Sequence, residues 1–268
     1  MSIIFASLCP HPPILIPEVG GKEVEKINKT KEAMEKLAEG LAKKEPETII
    51  IISPHGLVYP DRMNICGMEK LQGDLGYFGA PQVSMKFEND LELANAINEK
   101  ANKEEIETLL DESGREFYEL DHGILVPLYY LTQKLDRPIK LVPIAYSFLD
   151  RDTHFKFGQI IQAVVEKQNA VVGLVASGDL SHRLILSAPA GYSPSGKEFD
   201  HKLIELIKKK DVEEILRLDE DFIEDAGECG YRSILILLGT LSKLKWKPEI
   251  LSYEGPFGVG YLVANFKI

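Results

Sequence analysis

The chain has 268 residues, 44% of them hydrophobic, and a formal net charge of −11. This hydrophobic content is enough for the core of one large domain or of two smaller ones. The negative charge argues against a nucleic-acid partner, which would bind a basic face, and against an anionic membrane surface.

Hydrophobic periodicity predicts strands and helices that alternate along the chain. The apolar residues 2–8 predict a strand and not a signal peptide, because no basic residue precedes them and Pro10-His11-Pro12-Pro13 follows at once. The run TIIIIS at residues 48–53 is apolar on both sides, as in a parallel strand buried on both faces. In chain order, the pattern predicts strand 2–8, helix 22–44, strands 48–53, 63–68 and 82–87, helices 90–101 and 124–135, strand 139–145, helix 151–168, strand 170–177, helices 197–209, 212–218 and 229–241, and strands 248–253 and 259–266.

This order of elements predicts one α/β domain over residues 1–268, with a central, mostly parallel or mixed sheet and helices on both faces. No stretch approaches the roughly 18 apolar residues of a membrane-spanning helix. The three cysteines, Cys9, Cys66 and Cys229, have no CxxC spacing and are typical of free thiols in a reducing cytoplasm. We therefore expect a cytoplasmic protein with no nucleic-acid partner and no membrane partner.

Four of the six histidines follow short apolar runs, in loops that also carry Pro, Gly, Asp or Ser. They are His11, His55, His122 and His182. In an open α/β sheet, ligands bind just beyond the carboxyl ends of the strands. Histidines in such loops would meet in one cleft, where imidazoles can hold a metal ion or transfer protons.

The loops that carry His11 and His55 are stiffened by a preceding proline, which restricts the backbone and presents the imidazole. Two imidazoles need a third metal ligand, and two neighbouring residues compete for this role. Glu228 would complete a set of two histidines and one carboxylate, which suits Fe(II) with open positions for substrate and O2, or Zn2+ with one open water site. As a first-turn acid of helix 229–241, Glu228 could instead serve the helix dipole. Cys229 would give a softer ligand set that need not activate O2.

His182 and His122 are candidates for proton transfer, because an unligated histidine in a metal cleft has a pKa near working pH. The tight turn before His182 contains Asp179, a partner for an imidazole N–H. A structural histidine that caps a turn is the competing interpretation of each one. His154 and His201 lie on helices rich in Lys and Glu, which favours a solvated surface position.

The sequence contains no GxGxxG after a strand, no GxxxxGK[ST], no GxSxG and no HExxH. These absences argue against dinucleotide and nucleotide sites of the common kinds, an α/β-hydrolase and a zinc protease. The Gly-Tyr-Phe-Gly and Gly-Pro-Phe-Gly segments are typical of turns. Their aromatic residues Tyr77, Phe78 and Phe257 are candidates for the wall of an apolar pocket.

Four histidine motifs follow one another along the chain. They are Pro10-His11-Pro12-Pro13, Ser53-Pro54-His55-Gly56, Asp121-His122-Gly123 with Val126-Pro127-Leu128, and Gly178-Asp179-Leu180-Ser181-His182. Taken together, the motifs resemble the catalytic-subunit (B) family of class III extradiol ring-cleavage dioxygenases, typified by protocatechuate 4,5-dioxygenase. The resemblance runs over essentially the whole chain. The chain is most similar to the subgroup found alone or joined to an AMMECR1-type domain, which is related to the Memo proteins. Since the chain ends at Ile268, we expect no attached AMMECR1-type domain.

The resemblance implies a role for each of these residues. In Memo-like sequences a cysteine in a Cys-Gly-Arg context replaces the acid, and Glu228-Cys229-Gly230-Tyr231-Arg232 contains both residues, so the third ligand is ambiguous by one position. The implied site has Fe(II) bound by His11, His55 and Glu228 (with Cys229 as the alternative), His182 and His122 in catalysis, and His122 and Asp179 in substrate binding.

The implied function is Fe(II)-dependent extradiol cleavage, in which O2 is inserted into the ring of a small aromatic diol. The first alternative is a Memo-like metal-binding or interaction protein, and the second is a Zn2+ hydrolase that uses the same cleft. The resemblance also implies a homodimer and an AMMECR1-type partner. The loops at residues 73–81 and 184–196 would contact ring substituents, with Arg183 and Arg232 as candidates to hold a substrate carboxylate.

Overall fold

The computed structural model describes residues 3–268, in which strands and helices alternate around one mixed sheet. Three short 3-10 helices lie at Pro13–Leu15, Gly21–Ile27 and Gly76–Phe78. The strands are β1 Ile3–Cys9, β2 Thr48–Ser53, β3 Met63–Cys66, β4 Lys70–Leu75, β5 Ala80–Asn89, β6 Thr108–Asp111, β7 Tyr118–Glu119, β8 Lys140–Ala145, β9 Val172–Ser177, β10 Lys247–Glu254 and β11 Tyr261–Lys267. The α-helices are α1 Pro17–Gly20, α2 Asn28–Ala42, α3 Leu91–Lys103, α4 His122–Leu131, α5 Arg151–Gln168, α6 Pro194–Lys209, α7 Val212–Leu216, α8 Glu220–Ala226 and α9 Tyr231–Leu241.

The centre of the sheet is parallel. The strands β1, β9, β2 and β8 lie side by side in this order, and Ile50 of β2 is aligned with Leu174 of β9 and Val142 of β8. Antiparallel β11 and β10 extend the sheet beyond β1, while β5, β4 and β7 extend it beyond β8. The strand β3 pairs with β8 and with β6, to the side of this path.

Helices cover both faces of the sheet, and the central strands are buried on both sides. On β2, Ile50 and Ile52 belong to a hydrophobic cluster with residues of α3, α5, α6 and α9. The alternate residues Ile49 and Ile51 belong to a second cluster with residues of α2 and α4. Because every residue of β2 is buried, the strand needs apolar side chains on both faces, which explains the TIIIIS sequence.

The same topology defines one edge for ligand binding. Because β1, β9 and β2 are parallel neighbours, the loops that follow them leave the sheet at a common edge. Helix α4 begins at His122, and its first turn lies against the last residues of β2 and β9.

The predicted α/β fold, with a mixed sheet and helices on both faces, is confirmed. The predicted strand 48–53 and helix 151–168 coincide with β2 and α5. Of the predicted strand 2–8, Ser2 lies outside the described residues. The predicted helix 22–44 is wrong in its first turns, which form the 3-10 helix Gly21–Ile27. The prediction lacks α1, β4, β6, β7 and α8, and the helix predicted from residue 229 begins at Tyr231.

A membrane span was not expected from the sequence. Among residues 3–268, no helix combines the length and the apolar content needed to cross a membrane.

Candidate metal centre

Three histidine side chains meet at the carboxyl edge of the sheet. Each of His11, His55 and His122 offers one ring nitrogen, and these nitrogens lie within 4.8 Å of one another. The Nε2 atoms of His11 and His55 are 2.9 Å apart. The rings of His55 and His122 stack with their centroids 4.1 Å apart. The structure therefore brings together three of the four histidines that the sequence places at strand ends.

His11 is only 2% exposed and is held by residues of β9 and its loop. Its backbone N–H donates to Asp179 Oδ1 at 3.0 Å, and its ring Nδ1 lies 2.9 Å from Ser177 Oγ. The Ser177 hydroxyl itself donates to the carbonyl oxygen of Gly123. Asp179, which the sequence assigns to substrate binding, thus contacts the His11 loop. Burial raises the pKa of its carboxyl to about 7.

His55 and His122 are tied to each other through their neighbours in the chain. The backbone N–H of His55 donates to Ser53 Oγ at 3.2 Å, and the Ser53 hydroxyl donates to Asp121 Oδ1 at 2.6 Å. Asp121 is the N-cap residue of α4, and His122 is the first residue of that helix. The end of β2 and the start of α4 therefore fix the relative positions of the two stacked imidazole rings.

The surroundings of the four cleft histidines favour the uncharged imidazole. Removal from water is the largest cause that lowers the pKa of His11, His55, His122 and His182, although His55 keeps an exposed surface. For His55 the pKa falls to about 4, because the neighbouring His122 and His182 also disfavour a positive charge. Neutral imidazoles offer the lone pair that a metal ion requires.

Cys229 brings a thiol to the same cluster. Its Sγ lies 3.7 Å from His11 Nε2 and accepts a hydrogen bond from the Asp179 N–H at 3.3 Å. The Asp179 carbonyl oxygen accepts from the backbone N–H groups of Cys229 and Gly230, at 3.3 and 2.9 Å. Burial, together with the nearby carboxyl groups of Asp179 and Glu228, raises the pKa of this thiol well above its ordinary value. These surroundings therefore favour the protonated thiol.

The Glu228 side chain points to the opposite side of the same turn. Its carboxylate accepts a hydrogen bond from the Tyr231 N–H, at the start of α9. It lines a second cavity of about 700 Å3, together with Phe148 and Arg232. Burial raises the pKa of the carboxyl to about 7, partly offset by the Tyr231 N–H and by the charge of Arg232. Among residues 3–268, the group of side chains that could share one ion consists of His11, His55 and His122, and it includes neither Glu228 nor Cys229.

His182 lies close enough to the cluster for its charge to lower the pKa of His11 and His55. Its Nδ1 is buried and has no hydrogen-bond partner in the part of the chain that the structure describes. The loop before it is anchored by Asp200, whose carboxylate accepts from the Ser181 N–H at 2.8 Å and from the Tyr253 hydroxyl at 2.6 Å. Asp200 is fully buried.

A cavity of about 360 Å3 opens onto His55 and His122, a volume in the range of small-molecule sites. Phe78 and Tyr118 provide aromatic wall, and the ring of Phe78 lies edge-on to His122 with centroids 5.2 Å apart. Tyr77 also lines this cavity, as the sequence suggests. Phe257, the third candidate, is not among its lining residues.

Two features of the surroundings differ from the sequence analysis. His154 is fully buried, with its ring nitrogens 2.7 Å from the Asp150 carbonyl oxygen and 3.0 Å from that of Ser147, so the predicted surface position is wrong. Helix α5 packs against both α3 and α9, which buries a face that its Lys and Glu content does not reveal. The strand-end residues Ser53 and Ser177 were also missed, because a single serine at a strand end has no distinctive pattern.

The donor set fits a divalent transition metal. Two nitrogen ligands about 2.1 Å from one ion and at a right angle lie about 3.0 Å apart, close to the 2.9 Å between the Nε2 atoms of His11 and His55. At the same right angle, a thiolate at about 2.3 Å and an imidazole at about 2.1 Å lie about 3.1 Å apart. The observed distance from Cys229 Sγ to His11 Nε2 is 3.7 Å, so the thiol would have to move about 0.6 Å to share the ion. Imidazole and thiolate donors suit iron, zinc and copper.

Nearly the whole chain matches one known family. The family described as the catalytic LigB subunit of aromatic ring-opening dioxygenase matches residues 5–264, and the chain belongs to it. The crystal structure of an uncharacterised protein from Escherichia coli K12 has the same fold. Its TM-score is 0.66 and its identity 18%, over 98% of this chain and 99% of that chain.

Relatives of this chain include both enzymes and MEMO1 proteins. A protein of Clostridium acetobutylicum is 41% identical over an alignment of 273 positions, which covers all of this chain but only 58% of the longer relative. A MEMO1 family protein of Methanosarcina barkeri is 29% identical over 54% of this chain and 51% of its own length. A 2-aminophenol 1,6-dioxygenase beta subunit of Pseudomonas sp is 23% identical over 99% of this chain and 94% of its own.

Proposed function

We propose that this member of the LigB family is a non-haem Fe(II)-dependent dioxygenase that opens the ring of a small catecholic diol by extradiol cleavage with O2. The proposal is carried by the neutral histidine cluster at the 360 Å3 cavity, where the Nε2 atoms of His11 and His55 are 2.9 Å apart. The 2-aminophenol 1,6-dioxygenase beta subunit, which aligns over nearly its whole length, supports an activity on aromatic rings.

In this proposal His11 and His55 bind the metal through Nε2. The distances favour Cys229 over Glu228 as the third ligand, because the thiol lies 3.7 Å from His11 Nε2. The Glu228 carboxylate caps α9 and faces the other cavity. His122, which stacks on His55 and faces Phe78, lies where it can orient a bound diol.

The proton transfers are assigned to His182. Its imidazole is neutral at pH 7 and its Nδ1 has no partner among residues 3–268, so it can accept a proton from a catechol hydroxyl and return it to the product. Phe78 and Tyr118 would shield the ring from water. A ferrous ion at the site would supply the electron transfer between diol and O2 that ring opening requires.

A Memo-like metal-binding role without ring cleavage is the second candidate. The position of Cys229 favours it, because a thiolate makes the donor set softer and less suited to O2 activation. The similarity to a MEMO1 family protein supports the same alternative.

Anaerobic loading with Fe(II), followed by 4-nitrocatechol, tests the two roles. A metal-bound catecholate shifts the absorbance of this probe, so we expect a shift that disappears in His11→Ala. We also expect O2-dependent ring opening when the loaded protein is supplied with simple catechols. Bound iron without a shift would refute the dioxygenase and favour the Memo-like role.

The third ligand is tested by a matched pair of variants. Loss of iron in Cys229→Ser, with iron retained in Glu228→Gln, would support the thiol as ligand. The reverse result would support the carboxylate, and it would require the turn that carries both residues to rearrange when metal binds.

Three further features remain predictions. The family resemblance implies a homodimer and an AMMECR1-type partner, and the three free cysteines favour a cytoplasmic location. Light scattering of the purified protein and co-purification with an AMMECR1-type domain would test the first two.

A further inference from the structure

Two buried serines end the strands that lead into the cleft. Ser53 is the last residue of β2 and Ser177 is the last residue of β9, with exposed fractions of 1% and 0%. Each hydroxyl donates a hydrogen bond to the start of α4. Ser53 donates to Asp121 Oδ1 at 2.6 Å, and Ser177 donates to the Gly123 carbonyl oxygen.

Each serine also contacts a histidine of the cluster or its loop. Ser53 Oγ accepts from the His55 backbone N–H at 3.2 Å. Ser177 Oγ lies 2.9 Å from the ring Nδ1 of His11. The two serines therefore link the two histidine loops to the helix start that carries His122.

The direction of the Ser177 hydrogen bonds determines the tautomer of His11. A carbonyl oxygen can only accept, so the hydroxyl proton of Ser177 points to Gly123. The serine oxygen must then accept from His11 Nδ1–H. With its proton on Nδ1, the neutral imidazole has its lone pair on Nε2, the atom that faces His55. A hydrogen bond to the second ring nitrogen is the usual way in which proteins orient a metal-binding histidine.

We propose that Ser53 and Ser177 are positioning residues of the metal centre. Ser177 holds His11 in the tautomer that binds metal through Nε2, and Ser53 holds the His55 loop against the start of α4. This inference rests on the proposed metal site and does not depend on ring cleavage.

Alanine variants and Co2+ as a spectroscopic probe test this inference. We expect Co2+ to bind 10- to 100-fold more weakly to Ser177→Ala, and about tenfold more weakly to Ser53→Ala. The matched control is Ser7→Ala in β1. Ser7 is equally buried, and among residues 3–268 its hydroxyl forms a hydrogen bond only with Cys9 Sγ, at 3.5 Å. The affinity of Ser7→Ala for Co2+ should therefore stay within twofold of the wild type.

The tautomer is read in the metal-free protein from the ring 15N chemical shifts of His11, assigned by comparison with His11→Ala. We expect the Nδ1–H form in the wild type and in Ser7→Ala, and a mixture of both tautomers in Ser177→Ala. This readout separates a lost hydrogen bond from a general loss of stability.

Unchanged Co2+ affinity and an unchanged tautomer in Ser177→Ala would overturn the proposal, as would an equal loss of affinity in Ser7→Ala. If Ser177→Ala does not fold, Ser53→Ala still decides the role of the serine contacts to α4. If the wild type binds no Co2+, the proposed metal site fails, while the NMR measurement still tests the tautomer.

Discussion

A single methyl group at Gly178 is expected to separate the two loops that meet at the proposed metal centre. Gly178 lies between Ser177 and Asp179, directly against Gly230. A Cβ at this position would overlap the Cα of Gly230 and lie 3.1 Å from its nitrogen. The φ angle of Gly178 is not positive, so alanine is compatible with the backbone, and the effect of Gly178→Ala is steric.

The size of the effect follows from the atoms involved. Carbon atoms in favourable contact are about 3.5–4.0 Å apart, so the loops must separate to accept the methyl. Overpacking of this kind costs about 1–3 kcal/mol, and we expect about 3 kcal/mol because both partners are backbone. At roughly 2–4 °C per kcal/mol for a domain of this size, Tm should fall by about 6–12 °C. The same movement carries Cys229 away from His11, so we expect Co2+ affinity to fall at least tenfold.

Urea unfolding and Co2+ titration measure the two effects on the same preparations. Gly40→Ala is the control, because Gly40 lies inside α2 and the nearest atom to an added Cβ is Phe5 Cε2, at an ordinary 3.8 Å. Alanine there should stabilise the protein by about 0.5–1 kcal/mol, the opposite sign. Wild-type stability in Gly178→Ala would refute the close packing of the two loops.

Three other predictions concern the surroundings of the site. Burial raises the pKa of Asp200 to about 7, so between about pH 4 and 7 the folded protein keeps a proton that the unfolded chain loses. The Asp200 contribution to stability should therefore fall as the pH rises through this range, and thermal melts at pH 5 and 8 should differ less in Asp200→Asn than in the wild type. Gly158→Ala should destabilise the protein by about 1–3 kcal/mol in urea, since its Cβ would overlap the backbone of α9, without changing Co2+ affinity. His182→Gln should keep metal and 4-nitrocatechol binding but lower ring-opening turnover by about 10²–10⁴-fold, measured by O2 uptake; unchanged turnover would remove His182 from the mechanism.

The convergence of the histidines could be anticipated from the sequence because two local signals agree. Apolar runs such as Thr48–Ser53 predict buried parallel strands, and Pro-His pairs follow β1 and β2 within a few residues. Parallel strands end at one edge of the sheet, so the loops that follow nearby strands such as β1 and β2 meet there. The strand ends alone therefore predict that His11 lies near His55, and the helices between the two strands are not needed for this prediction.

Other elements depend on contacts between distant segments, which no local pattern records. The strand β4, with sequence KLQGDL, has few apolar residues and exists because it pairs with β5 and β7. The burial of His154 was missed for the same reason, because α5 is covered by α3, which precedes it in the sequence, and by α9, which follows it. Ser53 and Ser177 gain their roles from the start of α4, where the residues they contact lie 68 and 54 positions away in the sequence.

The choice between Glu228 and Cys229 as the third metal ligand depends on the turn that carries both residues. Consecutive side chains leave this turn on opposite sides, so Cys229 faces His11 while Glu228 faces Tyr231. Rotation of the turn would break the hydrogen bonds of the Cys229 and Gly230 N–H groups to Asp179, each worth about 1 kcal/mol. It would also lose the contact of Gly230 with Gly178. Metal binding itself would therefore have to supply the free energy for Glu228 to replace Cys229 at the site. Only a metal with a strong preference for carboxylate over thiolate would supply that free energy.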